Sequence, residues 1–376
     1  MAVIRPRDLL SDGLLERLGG TARDTGGPPG SVLAGNGLAG GGVAGNGLAG
    51  AGLGGNGLAG AGLGGNGLAA NLPGAVGVDL AATLTRDIAK LGDVGYLKVA
   101  LPEEFGGLGC TLRQAACGQR RLARHAPLTA LTVSAHLYWT GAAADAYRAG
   151  DNSMRWILLE AARGALFAAG HGTPGGDLRF ADPRSRCEPA GESGYRFRHP
   201  AVLSSLTPAW DWVAVHAVTG AARPDAVLAF AGRGSRCTPA FRVARVEPAG
   251  TPGDVFTTSA IGWGHAILAS VEYSDARRAF NEAVDAVSRQ PAMAGAGGAH
   301  PLDQWPVAEA SLRLDAMKAK IAEITHPWPR VPGPEPDLGG QRLIGIFTMR
   351  HEVADGARRV FGLTGQIADA QAVPAA

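Results

Sequence analysis

Cysteine is scarce in this chain. Cys110, Cys117, Cys187 and Cys237 are the whole complement, and no two are spaced C-x-x-C or gathered with histidines. That excludes a zinc site or a disulfide framework and predicts free thiols. Charge of one sign is also missing, since 35 Lys and Arg against 33 Asp and Glu leave a net +2. No basic patch or recognition motif accompanies it, which argues against a nucleic-acid partner. No run of 18 or more apolar residues is present, and "MAVIRPRDLLSDGLLERLGG" has no uninterrupted apolar stretch of the kind a signal peptide needs. Neither a membrane span nor export is expected, so the reading is cytoplasmic.

Glycine is the residue in excess. Many of its 57 copies fall between Ala34 and Asn71, where "AGNGLAGGGVAGNGLAGAGLGGNGLAGAGLGGNGLAAN" repeats a decamer made of two G-x-G-L-x pentamers. A Leu or Val every five residues can in principle line a solenoid. Against that, glycine at about half the positions carries a large ordering entropy, and one small apolar group per five residues buries little to offset it. Residues 26–71 therefore read as a disordered or loosely coiled insertion left by tandem duplication.

Elsewhere the chain divides by texture. Asp79 can N-cap a helix in which Leu80, Leu84, Ile88 and Leu91 share one face, ending before Gly92 and Gly95. Leu314, Met317, Ile321 and Ile324 form a second stripe, read as bundle core. Between these helical ends lie "YRFRHPAVL", "DWVAVHAV" and "DAVLAFAG", β-rich and separated by Gly, Pro and Ser turns. Several motifs carry no chemistry. Gly35–Gly40 and Gly170, Gly172 and Gly175 match G-x-G-x-x-G without the strand, helix and later acid of a dinucleotide fold. "HEVAD" at His351–Asp355 offers Asp355 where a zinc-protease helix needs its second His. Gly232, Gly234 and Ser235 are out of frame for a nucleophile elbow.

Three blocks in order carry a resemblance. "GYLKVALPEEFGGLG" runs into "RRLARHAPLTALTVSAHLYWTG" between Gly95 and Gly141, with Pro102 stopping a helix and Gly106, Gly107 and Gly109 allowing positive φ and close chain approach. "FAAGHGTPGGD" from Phe167 and "GYRFRHPAVLSSLTPAWDWVAVHAV" from Gly194 follow. "ARRAFNEAVDAVSR" from Ala276, "HPLDQWPVAEASLRLDAMKAKIAEI" and "FTMRHEVADGARRVFGLTGQ" complete the set. Together these resemble the acyl-CoA dehydrogenase family of flavoproteins. The resemblance implies a multidomain α and β fold: an N-terminal helical domain (1–25 and 72–166), a small, incomplete middle β-barrel-like domain (167–250) and a shortened C-terminal helical bundle (251–376).

It also implies FAD as cofactor and α,β-desaturation of an acyl thioester, presented by CoA or an acyl-carrier protein, within a dimer or tetramer or beside a related subunit. The positions matching the family's flavin contacts are His171, Gly172 and Thr173, then Ser204, Ser205, Leu206 and Thr207. The second group equally reads as a polar turn before Pro208. Arg289 falls where the family's bundle arginine meets a neighbouring subunit's pyrophosphate, although "RQPAM" replaces the usual Phe-Gly and a solvated helix end is the other reading.

The departures bear on activity. Desaturation needs a carboxylate base at the flavin, and in most of the family that Glu lies near the C-terminus, past the point where "LTGQIADA" runs out here. A minority place it on the first bundle helix, at about Trp263 in this chain. Glu272 is the one acid between Trp263 and Asp275, and a weak candidate. "DAVLAFAGRGSRCTPAF" passes almost at once into "RVARVEPAGTPGDVF" without the family's intervening strands. Three readings stay open: a dehydrogenase-like flavoprotein of doubtful activity, a flavin-dependent monooxygenase of the same fold, or a non-enzymatic partner subunit.

Overall fold

A computed structural model describes residues 6–18, 80–171, 186–190, 194–197, 202–203, 210–219, 226–232, 242–246, 255–289, 305–326, 328 and 338–369. Two short helices, α1 (Pro6–Leu9) and α2 (Asp12–Glu16), precede α3 (Leu80–Asp93), α4 (Leu112–His125), α5 (Pro127–Arg148) and α6 (Arg155–Ala162). Strands β1 (Phe167–His171), β2 (Arg186–Ala190), β3 (Gly194–Phe197), β4 (Val202–Leu203), β5 (Trp212–Thr219), β6 (Ala226–Gly232) and β7 (Arg242–Val246) come next. Helices α7 (Val255–Arg289), α8 (Trp305–Thr325) and α9 (Leu338–Asp369) follow. Helices, strands, helices is the expected order. The glycine-rich decamers and Asp79 lie outside the described residues.

Local chemistry explains the first domain. The stripe Leu84, Ile88 and Leu91 is buried, and α3 runs on through Gly92 to Asp93 before Gly95 turns it at φ +76°. In the turn that follows, Gly106 and Gly109 adopt φ +78° and +58°, values open to glycine at no steric penalty. Gly107 serves the other purpose: a Cβ there would stand 2.1 Å from the Leu101 carbonyl oxygen. Helix α4 starts in a capping box, Thr111 Oγ1 accepting from Gln114 N and Gln114 Oε1 accepting from Thr111 N at 2.9 Å. Pro127 opens α5, where its missing N–H leaves no bond unmade.

Strand β5 is the spine of the sheet. Along one edge it pairs in parallel first with β1 (Phe167 opposite Trp212) and then with β2 (Arg186 opposite Val218). Along its other edge β6 runs antiparallel over seven residue pairs, and β7 follows β6. Strand β3 closes onto β2 and β4 onto β1, both antiparallel. The segment "RVARV", read as a passage into the bundle, thus adds one more strand.

Helix α7 reaches back to Val255 and is buried on nearly every side from Phe256 to Phe280, the pattern of a helix enclosed by others. Helices α5 and α9 pack along it. Leu314, Met317 and Ile321 of α8 are covered within the chain by α9, whose Ile346, Met349, Val353 and Val360 are buried in turn. Gly356 admits the Met317 side chain, since a Cβ would lie 2.8 Å from its Cγ. Among the described residues the large apolar side chains left exposed are others: Trp305, Leu312, Ile344 and Phe347. His351 and Glu352 of "HEVAD" are exposed on α9. Among the described residues no three metal-ligating side chains come together, and no helix is long and apolar enough to cross a membrane.

Candidate functional site

The site expected from the sequence starts at the end of β1. His171 is the last residue of that strand and sits opposite Val202, with Gly170 opposite Leu203. Gly172 and Thr173, and Ser204, Ser205, Leu206 and Thr207, lie outside the described residues. One segment leaves β1 after His171 and the other leaves β4 after Leu203; the two strands are neighbours but antiparallel, so the segments depart in opposite directions. Arg289 ends α7.

The start of β1 is held from two directions. On the sheet side, Leu166 N donates to Asp211 Oδ2 at 2.8 Å, while Asp211 N and Trp212 N donate to Leu166 O. On the helix side, His136 of α5 takes the Phe167 N–H on Nδ1 at 3.3 Å and places Nε2 2.7 Å from the Leu97 carbonyl oxygen. Both contacts are made at once only by the neutral ring with its proton on Nε2. Burial pushes the ring down to about 4, against the pull of the Leu97 carbonyl and Asp211. A histidine lowered from 6.5 disfavours the protonated fold. Its neutral form is kept without penalty above pH 6.5, and stability falls as the unfolded chain takes up the proton between pH 6.5 and 4. Wild type is expected to lose about 2 kcal/mol through this group from pH 7 to 5. Urea denaturation at both pH values, with His136→Asn removing the extra slope, checks it.

Aromatic rings fill the seam between helices and sheet. Trp156 meets Phe167, Trp212 and Phe230 at 5.8, 5.0 and 5.4 Å between ring centroids, and Trp139 meets Phe230 edge-on at 5.1 Å and stacks with Phe256 at 6.0 Å. Such pairs add about 0.5–1.5 kcal/mol each beyond the area they bury.

Asp145 of α5 and three acids of α7 are engaged. Asp145, buried on α5, accepts the indole N–H of Trp263 at 2.7 Å and of Trp328 at 2.9 Å on Oδ2 and meets Arg148 at 3.2 Å on Oδ1. Ser259 also bonds it, yet burial outweighs these partners and pushes the carboxyl up. Two glycines make room: a Cβ on Gly141 would stand 2.3 Å from the Trp263 ring, and one on Gly262 2.0 Å from the Trp328 ring. Trp263, at the position expected for a minority-type base, is therefore a buried donor facing α5. Glu272 is held by both guanidinium nitrogens of Arg350, with Nη2 to Oε1 at 2.6 Å. Asp275 and Glu282 share Arg278 at 2.8 and 2.7 Å. All three acids of α7 between residues 263 and 283 are in arginine pairs.

Sequence reading singled out neither His136 nor Asp145. The available signal was a glycine within each of two helical runs, Gly141 and Gly262, positions where glycine marks close approach.

Residues 70–155 match the family model described as the N-terminal domain of acyl-CoA dehydrogenase. No curated protein matches the sequence. Solved structures share the fold. KijD3 in complex with FMN and dTDP-3-amino-2,3,6-trideoxy-4-keto-3-methyl-D-glucose is 20% identical, over 76% of this chain and 75% of that one, at a TM-score of 0.56. The nitrososynthase from Micromonospora carbonacea var. africana is 17% identical over 74% and 78%, at 0.58. FMN-bound TdsC from Paenibacillus sp. A11-2, a dibenzothiophene monooxygenase, is 18% identical over 76% and 80%, at 0.56. Residues 70–155 thus match the N-terminal domain of acyl-CoA dehydrogenase, and the chain shares the fold of these solved structures over about three quarters of its length.

Proposed function

We propose that this chain is a flavin-dependent monooxygenase of the acyl-CoA dehydrogenase fold, acting on a small substrate, and that it does not desaturate acyl thioesters. The observation that carries the reading is the state of the acids on α7. Trp263 is a buried indole bonded to Asp145, and Glu272, Asp275 and Glu282 each have oxygens occupied by arginine donors. None is placed as a free base.

A flavin ring needs hydrogen-bond donors along its polar edge and positive charge or amides at its phosphate. The donor set of the two segments suits the ring: backbone amides from His171 to Thr173, the hydroxyls of Thr173, Ser204, Ser205 and Thr207, and the Leu206 amide. Arg289 would serve the phosphate. FAD and FMN present the same ring; three of the solved structures of like fold contain FMN, so the expectation of FAD widens to either flavin. When bound, the reduced ring supplies activation of O₂ for transfer of one oxygen atom to substrate. The chain's own part is to bind, orient and exclude water, and the aromatic seam behind β1 keeps that strand's inner face dry. Acyl-CoA and an acyl-carrier protein are the partners of the dehydrogenase reading, which this one displaces.

The test supplies reduced FMN, O₂ and a panel of sulfur- and nitrogen-containing aromatics, indole among them, to the purified chain. Oxygenated product formed in proportion to protein is the expected result. Product absent across the panel, together with desaturation of an acyl-CoA, would reverse the reading. Self-association as a dimer or tetramer belongs to the same proposal, with Trp305, Leu312, Ile344 and Phe347 the exposed apolar groups a second copy would cover.

A further inference from the structure

We propose that α4 and the second half of α3 form a peptide-binding groove, that its ligand is the leucine-lined hook of residues 6–18, and that a second copy of the chain can supply that hook. Within the hook, α1 and α2 have four and five residues, far short of the length at which a helix holds itself in water. Its fold is therefore imposed by what it lies on. Leu10, Leu14, Leu15 and Leu18 are 0–3% exposed, while Asp8, Ser11, Asp12, Glu16 and Arg17 face solvent. That spacing sets the four leucines on one side, the anchor pattern of a helix laid into a groove. They join the buried core that holds Ile88 and Leu91 of α3 and Leu122 of α4.

Two cations of the groove hold the hook by its main chain. Arg121 donates from Nε to the Leu10 carbonyl at 2.9 Å and from Nη2 to Asp12 Oδ1 at 2.6 Å, and Lys90 Nζ donates to the Arg17 carbonyl at 2.8 Å. Arg17 is the C-cap of α2, so Lys90 meets the negative end of that helix and one of the carbonyls it leaves without an internal donor. These bonds join positions 111, 109 and 73 residues apart. The match to the N-terminal domain of acyl-CoA dehydrogenase starts at residue 70, so the hook lies outside it. About 60 residues separate Leu18 from Leu80, and a chain of that length spans at most about 200 Å at 3.3–3.6 Å per residue. The connection therefore does not fix which copy's groove a hook enters. Its contacts are the same in either case, and concentration sets the choice.

Two full-length variants separate the ligand from the groove. Leu14→Asp with Leu15→Asp puts two carboxylates where the groove is apolar, so the hook is released and the groove is kept. Arg121→Glu removes both donors of α4 and sets a carboxylate against Asp12 and the Leu10 carbonyl, so the groove is weakened and the hook is kept. The probe is a fluorescein-labelled synthetic peptide of residues 5–20. The same peptide carrying Leu14→Asp and Leu15→Asp is its control.

Fluorescence anisotropy is expected to show saturable binding of the peptide, and not of its control, to the Leu14→Asp/Leu15→Asp chain. Wild type should bind it about tenfold more weakly, because its own tethered hook competes. Adding Arg121→Glu to the double variant should also weaken binding about tenfold, as for lost hydrogen bonds to a charged group. The second copy is tested by mixing donor-labelled Leu14→Asp/Leu15→Asp chain with acceptor-labelled Arg121→Glu chain. Energy transfer should rise with concentration, fall on adding free peptide, and exceed that of the double variant mixed with labelled copies of itself. A folded double variant that does not bind the peptide, or binds the control equally, overturns the groove. Peptide binding without the excess energy transfer overturns the exchange between copies. If the double variant does not fold, wild type decides: excess labelled peptide that fails to bind, or that unlabelled peptide does not displace, overturns the proposal.

Discussion

Asp145→Ala is expected to destabilise the folded chain by about 3–5 kcal/mol, the range for removing one partner of a buried charged network. The substitution leaves the indole N–H groups of Trp263 and Trp328 without their acceptor. Each unsatisfied buried donor costs about 1–3 kcal/mol. Arg148 loses its carboxylate as well, and three elements come apart at once: α5, α7 and the segment after α8. Asp145→Asn keeps an acceptor for the indoles and should lose clearly less. Gly141→Ala tests the same node from its steric side, because the added methyl meets the Trp263 ring. Overpacking of this kind costs about 1–3 kcal/mol. Urea denaturation at pH 7 measures all three, and an Asp145→Ala chain within 1 kcal/mol of wild type (a threshold well below the ~3 kcal/mol expected) would remove the node from the account.

The second large effect is kinetic. Anaerobic mixing of the flavin-loaded chain with butyryl-, octanoyl- or palmitoyl-CoA is expected to leave the flavin oxidised on the timescale of ordinary turnover. Abstraction of the weakly acidic α-proton without a placed base forfeits general-base catalysis, worth about 10²–10⁴ in rate. Glu272, the one acid the sequence offered for that role, spends both oxygens on Arg350. Glu272→Gln should therefore leave the absence of bleaching unchanged while lowering stability, since Arg350 keeps its charge and loses the Glu272 carboxylate. Rapid bleaching in wild type, abolished by Glu272→Gln, would show that the ion pair opens and that the dehydrogenase reading is right.

What could be read from the sequence was whatever chemistry acts over a few residues. Pro102, Gly106, Gly107 and Gly109 announce a tight turn because their backbone rules are local, and two of the glycines take positive φ while the third takes the close contact. The stripes Leu84–Leu91 and Leu314–Ile321 announce buried faces because a helix repeats every 3.6 residues. Interactions between distant positions left no such trace. Asp145 lies 118 residues from Trp263 and 183 from Trp328, and His136 joins Leu97 to Phe167 only once α5 and β1 have packed. The length of α7 toward its N-terminus was equally hard to read, since a helix buried on all sides shows no polar face to set its period. Of the candidate site, the backbone of His171 and the pairing of β1 with β4 are fixed.

Titration of the purified chain with FMN and FAD, followed by fluorescence quenching and visible circular dichroism, tests the central claim most directly. Saturable binding of one flavin ring per chain to at least one of the two is expected, with an induced dichroic band from a ring held in one orientation. Flavin that stays free and fully fluorescent at saturating protein would contradict it.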